Sequence, residues 1–336
     1  MGESTRGEEI NRIRLGRVKE TLSCCLLLAG AFPETFRGGK PNMSYTLQKK
    51  LIIIAFLALP VFLLLLLLMY PTAKLIQLSF TNWNGISRQF HYIGFDNYVK
   101  AFHMPEIWKS LYHNWQYFLI HALLIPLEII VAVFLNVKLR ENAFFRSIVF
   151  LPYVINGVAV AYVFSYLYNP INGPLNLFLH AVGLDSWSLR WLSDPHVVNY
   201  SLIFVSLWRY CGLHVILFLA GLQSIPEDLY EAAKMDGASP LRQLWHITIP
   251  GMNRVIEIVL FLNIRGALQV FDIPFLMTQG GPANASSTFT LYTVDTAFKF
   301  NNYGLASTMA ILLMAMIIVF SYVQKKLFQA TGGYES

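Results

Sequence analysis

Leu51-Ile-Ile-Ile-Ala-Phe-Leu-Ala-Leu-Pro60-Val-Phe-Leu-Leu-Leu-Leu-Leu-Leu-Met-Tyr70 runs for twenty positions without a charge. A helix of that length rises about 30 Å, the thickness of a bilayer's hydrocarbon core. The run lacks the period-two alternation of a barrel strand, and an unpaired backbone amide in lipid costs several kcal/mol, so it reads as a spanning helix. Five further runs of similar length follow, at residues 117–137, 148–168, 201–221, 255–277 and 305–323. Of the 336 residues 55% are hydrophobic and 13% charged, too apolar a balance for an ordinary soluble domain. The predicted fold class is therefore all-α integral membrane, with six core transmembrane helices.

Basic residues near span ends stay in the cytoplasm. Lys49 and Lys50 precede the first run, Lys138, Arg140 and Arg146 crowd the second connection, Lys234, Arg242 and Arg254 lie in the fourth, and Lys325 and Lys326 follow the sixth. The three remaining connections are longer yet share only Lys74, Arg88, Lys100, Lys109, Arg190 and Lys299. Both termini are thus expected in the cytoplasm. The net charge of +6 reflects this asymmetry and a basic N-terminal extension, and gives no argument for nucleic acid.

Cys24 and Cys25 are adjacent and Cys211 lies inside the fourth run, a spacing that offers neither a disulfide framework nor a metal site. Residues 1–42 are polar and basic, and their one apolar stretch, 22–32, is too short to span. Its flank of Arg12, Arg14, Arg17 and Lys19 permits a signal-peptide-like reading, whereas a start at Met43, with Lys49 and Lys50 following, fits the span pattern better. Residues 1–42 are predicted to be a disordered cytoplasmic extension and residues 43–336 the membrane domain.

The fourth connection, residues 222–254, is cytoplasmic by the charge rule and carries strong local signals. Ser224 and Glu227 have capping-box spacing around Pro226, and Glu227 and Asp228 suit the positive end of a helix predicted to run to about Met235. Gly237 stops it. Ser239 and Pro240 then offer a second cap and first-turn proline, so another short helix is expected towards Trp245 before Pro250 ends it. Leu229, Tyr230, Ala233 and Met235 would leave apolar or small surface in need of a partner. Helix physics alone leaves two readings open: a hairpin packed on the chain's own spans, or a dock for a cytoplasmic protein.

Glu231-Ala232-Ala233, Gly237 six residues after that glutamate, and the closing Ile249-Pro250 resemble the EAA loop of binding-protein-dependent ABC importer permeases. Ile93-Gly94-Phe95-Asp96-Asn97-Tyr98, Leu151-Pro152-Tyr153, Asn169-Pro170, Phe271-Asp272, Gly280-Gly281-Pro282 and Tyr303-Gly304-Leu305 extend the similarity to the carbohydrate-uptake branch, which includes maltose and glycerol-3-phosphate permeases. The resemblance implies a coupling loop set in a cleft of a cytoplasmic ATPase, with Tyr230, Glu231, Ala232, Ala233, Met235, Asp236 and Gly237 at the contact. It further implies no cofactor in this chain, ATP and magnesium being held by two ATPase copies, and a second homologous permease. An extracellular or periplasmic sugar-binding protein completes the set, docking on outer loops such as the aromatic first loop (Phe80, Trp83, Phe90, Tyr92), at a bacterial or archaeal cytoplasmic membrane.

Polar side chains inside spans are expensive and usually face a bundle interior or an aqueous path. Glu128, Arg209, Asn263, Arg265, Gln269 and Asp272 are of this kind, and Arg265, Gln269 and Asp272 share one helical face by spacing. Tyr153, Asn156, Trp208 and Tyr210 add the aromatic faces and hydrogen-bonding groups that hold sugars. In the similar maltose permease, positions matching Tyr153, Gly157, Trp208, Tyr210 and Asn263 border the sugar site, with glycine at the position of Tyr210. Bland roles stand beside these: kink capping for Tyr153, packing for Trp208 and Tyr210, hydrogen-bonded packing for His121 and His214. Arg209 is expected to snorkel or pair with Glu128, and Asp272 to neutralise Arg265. Members of the family more often carry small or uncharged residues at Arg265, so Arg209 and Arg265 together would suit an anionic sugar.

No Gly-x-x-x-x-Gly-Lys-Ser/Thr, His-Glu-x-x-His or Gly-x-Ser-x-Gly motif occurs, which removes the usual bases for a P-loop ATPase, a zinc protease or a serine hydrolase. An ion-coupled secondary transporter is the alternative class, but it predicts paired inverted repeats and interrupted helices.

Overall fold

A computed structural model describes residues 45–136 and 142–330. Expectations for residues 1–42, and for Lys138 and Arg140, lie outside the described residues. The chain divides into two units, residues 1–68 and 69–336. In the first, α1 (Tyr45–Leu64) passes into a π turn at Leu65–Met69, and its described side chains from Ile52 to Leu68 are all exposed.

Among the described residues of the second unit, helices joined by loops make up the regular structure, with an isolated bridge between Thr81 and Tyr92. In chain order it contains α2 (Tyr70–Ser79), α3 (Asp96–His103), α4 (Pro105–Asn136), α5 (Asn142–Val154), α6 (Gly157–Leu167), α7 (Pro174–Ala181) and α8 (Val198–Gln223). There follow α9 (Glu227–Met235), α10 (Pro240–Gln243), a π turn at Leu244–Thr248, α11 (Ile249–Gly251), α12 (Asn253–Leu268), α13 (Asp272–Met277), α14 (Phe289–Phe298) and α15 (Tyr303–Ala330). Five helical stretches among the described residues are long and apolar enough to cross a membrane: Ile52–Ser79, Pro105–Asn136, Val198–Gln223, Asn253–Met277 and Tyr303–Gln329.

The third predicted span, residues 148–168, is broken rather than straight. Phe144–Val154 and Gly157–Leu167 meet at 91°. Pro152 sits in the last turn of α5, and Asn156 caps α6 by accepting from the Val158 amide at 2.8 Å. The first span also runs past its expected end at Tyr70. A proline ring presses on the carbonyl four residues back, and for Pro71 that carbonyl, on Leu67, lies in the π turn Leu65–Met69, whose wider winding lets the helix continue.

The core is built on α4, α8 and α12, whose inward positions recur every four residues. One apolar cluster gathers Tyr117, Leu202, Val205, Ala267 and Ile273 with Phe164 of α6. Another gathers Ile125, Ile129, Val215, Phe218, Met252 and Val259. Between them the same helical faces carry His121, Ser206, Tyr210, His214 and Asn263, so a polar layer lies between two apolar ones. Close approach of α5 to α8 depends on Gly212, where an added Cβ would lie 2.1 Å from the Val149 carbonyl oxygen. Gly212→Val is expected to lower stability by about 1–3 kcal/mol through overpacking, read as a lower thermal-unfolding midpoint of the detergent-solubilised protein.

Candidate functional site

The polar layer opens into a cavity of about 560 Å³. Tyr153, Tyr210, Asn263, Arg265, Gln269 and Asp272, six of the ten proposed path residues, line it. Tyr153 and Tyr210 face each other edge-on, their rings 6.0 Å apart. Asn263 and Tyr117 are buried, and neither the Asn263 Nδ2 nor the Tyr117 hydroxyl has a hydrogen-bond partner among the described residues. Two buried polar atoms left open at one cavity are what a hydroxyl-rich ligand, or water in its absence, would satisfy.

The other four path candidates do not line this cavity. Asn156 serves as the α6 cap. Trp208 packs edge-on against Phe164 at 5.2 Å. Gly157 abuts the Arg209 guanidinium, which would lie 2.7 Å from an added Cβ, and so leaves Arg209 its place.

Charge pairing differs from expectation. Arg209 pairs with Asp272, not Glu128, and stacks over the Tyr210 ring at 5.1 Å. Glu128 instead holds His214 at 3.1 Å, both deeply buried, while His121 pairs with Ser206 at 3.1 Å. The expected hydrogen-bonded packing of the two histidines is thus present, and both also wall the cavity. Asp272 does not reach Arg265, whose Nε donates to Gln269 Oε1 at 3.3 Å.

The reason lies in the backbone. Arg265, Gln269 and Asp272 were expected on one continuous face, but α12 stops at Leu268 and α13 restarts at Asp272, where an acid and Pro274 form a favourable first turn. The break turns Asp272 towards Arg209. Its exposed carbonyls are satisfied by side chains: Asn114 Nδ2 donates to Ala267 O at 2.6 Å, and Thr288 Oγ1 to Val270 O at 2.8 Å. Tyr117, His121, Ser206 and His214 were not among the proposed path residues. The spacings 117/121 and 206/210/214 placed them on the faces of Tyr210 and the core, a signal available in the sequence.

The connection after α8 forms the expected helix, glycine turn and helix. Gly237 adopts φ +74°, the left-handed region that glycine enters at little cost. Ser239 caps α10 by accepting from the Arg242 amide. The first cap is different: Pro226 occupies the N-cap of α9, and the Ser224 hydroxyl donates to Gly221 O at 2.7 Å, so no capping box forms. Nor does Pro250 end the second helix. The amide of Ile249 bonds to Leu244 O, a π turn that contains the carbonyl four residues before Pro250, and the bend falls at Met252.

The hairpin is tied from within by Tyr230 to Thr248 at 3.0 Å and by Gln243 Nε2 to Ala238 O at 3.0 Å. Tyr230 and Ala233 are therefore partly buried rather than presented outward. Leu229, Met235, Leu241 and Trp245 form the exposed apolar surface, Met235 at 89% and Trp245 at 62%. Glu231, Ala232, Asp236 and Gly237 are exposed beside them.

Residues 124–332 match the family model described as binding-protein-dependent transport system inner membrane component. The chain is 35% identical over 86% of its length to the probable ABC transporter permease protein YurN of Bacillus subtilis (strain 168), covering 99% of that protein. It is 33% identical over 81% of its length to the multiple sugar-binding transport system permease protein MsmF of Streptococcus mutans serotype c, covering 93% of that protein. Its fold is similar to a chain of a bacterial ABC transporter involved in the import of the acidic polysaccharide alginate, with a TM-score of 0.75, 23% identity, and coverage of 85% of this chain and 97% of that one. This chain accordingly belongs to the binding-protein-dependent transport system inner membrane components, the multi-pass permease subunits of ABC importers.

Proposed function

We propose that this subunit carries a carbohydrate across the cytoplasmic membrane of a bacterium or archaeon, its polar cavity forming one wall of the translocation path. The observation that carries this reading is the cavity itself. The Tyr153 and Tyr210 rings, the Asn263 Nδ2 and Tyr117 hydroxyl that find no partner among the described residues, and Gln269 supply the mix of aromatic and hydrogen-bonding surface that a saccharide needs. The sugar-transport role of the Streptococcus mutans relative supports the same class of cargo.

An ABC importer combines permease, ATPase and binding protein. In our reading the complex holds this chain, a second homologous permease, two ATPase copies that bind ATP and magnesium, and an external sugar-binding protein. Both termini lie in the cytoplasm in this reading, which the basic residues at alternate span ends support. The loop bearing Glu231, Ala232 and Gly237 sits in the ATPase cleft, and its exposed Leu229, Met235, Leu241 and Trp245 are covered there. Closure of the ATPases moves this hairpin and opens the path outward; hydrolysis returns it inward.

The test is uptake of labelled oligosaccharides into proteoliposomes holding the whole complex. Uptake is expected to require internal ATP and to fall about tenfold or more in Asn263→Ala, the loss of one or two hydrogen bonds to the cargo. Uptake that runs on an ion gradient without ATP contradicts the reading.

A further inference from the structure

We propose that the cavity selects a saccharide bearing an acidic group, and that Arg265 alone is the residue that recognises it. The inference rests on the carbohydrate reading above and deepens it. Four charged or histidine side chains line the cavity: His121, His214, Arg265 and Asp272. His121 is held by Ser206 and His214 by Glu128. Asp272 is committed to Arg209, whose side chain is only 15% exposed and lies outside the cavity wall.

Arg265 differs from all of these. It forms no ion pair among the described residues, and its one hydrogen bond is from Nε to the neutral Gln269 side chain. Its terminal nitrogens Nη1 and Nη2 have no protein partner among the described residues. A cation within a membrane span is expensive and is kept where it meets water, a partner charge or a ligand. Arginine also presents a planar fork that takes a carboxylate or phosphate through two parallel hydrogen bonds. Gln269, one turn along, accepts from the guanidinium Nε, while the Tyr153 and Tyr210 rings and the open Asn263 Nδ2 remain for the sugar ring and its hydroxyls.

The sequence pointed to Arg209 and Arg265 jointly. The ion pair with Asp272 takes Arg209 out of that role, and leaves a single-residue prediction.

Two probes of one backbone isolate the charge: a uronic-acid tetrasaccharide and its carboxyl-reduced, neutral counterpart. A glucose 6-phosphate arm separates a carboxylated oligosaccharide from a small sugar phosphate as the acidic cargo. Binding is measured by calorimetry on the purified permease–ATPase complex without binding protein, at low and high salt. The wild type is expected to prefer the uronate, more so at low salt. Arg265→Gln is expected to weaken uronate binding about 10- to 100-fold and leave the neutral glycan unchanged, with Arg265→Lys intermediate. Equal affinity of the wild type for both tetrasaccharides, or an unchanged preference in Arg265→Gln, overturns the proposal. If Arg265 instead pairs with a carboxylate of the second permease, the Gln variant lowers complex stability without altering selectivity, which also overturns it. Binding of neither glycan nor sugar phosphate removes the carbohydrate reading together with this one, whereas binding of the neutral glycan alone removes only this one.

Discussion

Sugar uptake is expected to fall about tenfold or more when Gly237 is replaced by valine, and to survive largely when it is replaced by asparagine. Gly237 has φ +74°, and an added Cβ would meet no atom within 4 Å. Space is therefore not the constraint; backbone conformation is. The left-handed region costs an ordinary residue roughly 1–2 kcal/mol, more when the side chain is β-branched, whereas asparagine enters it readily. A valine would reset the angle between α9 and α10 and break the registry held by the Tyr230–Thr248 contact. Glu231→Lys should give a comparable loss by another route, placing a cation where the ATPase is expected to meet an acid. Both are measured as ATP-dependent uptake normalised to the amount of permease in the membrane. Wild-type uptake by Gly237→Val would show that the turn transmits nothing.

The second large effect concerns the Arg209–Asp272 pair. Removing one member of a buried pair strands the other charge, at about 3–5 kcal/mol. Asp272 is 41% exposed here, so the lower end, about 3 kcal/mol, is the expectation for Asp272→Ala. The Arg209→Met, Asp272→Leu double variant should recover most of that loss, because an apolar pair leaves no charge unsatisfied. Thermal unfolding of the purified complex checks both, and additive losses would mean that the two residues do not act as a pair.

How much of this was legible in the sequence follows from the range of each interaction. Spans declare themselves through composition, which needs no knowledge of neighbours, and the turn at Gly237 and the cap at Ser239 are local chemistry. The π turns before Pro71 and Pro250 were not legible, because a proline read alone signals a stop while the helix can widen around it. Pairing failed for a related reason. Composition marks Glu128, Arg209, Arg265 and Asp272 as costly in lipid, but which meets which depends on the break between Leu268 and Asp272 and on the room left by Gly157. Tyr230 reads as an apolar patch in sequence, yet its hydroxyl finds Thr248 eighteen residues away and turns it inward.

The hairpin after α8 is expected to be covered by a nucleotide-hydrolysing partner, and Met235, the most exposed large apolar side chain in the hairpin, is the place to measure it. In a permease whose own cysteines are replaced, Met235→Cys is expected to cross-link to the ATPase, and to react with an impermeant thiol reagent only from the cytoplasmic side and only after the ATPase is stripped away. Labelling from the outside of intact cells, or equal labelling with and without the ATPase, would contradict it.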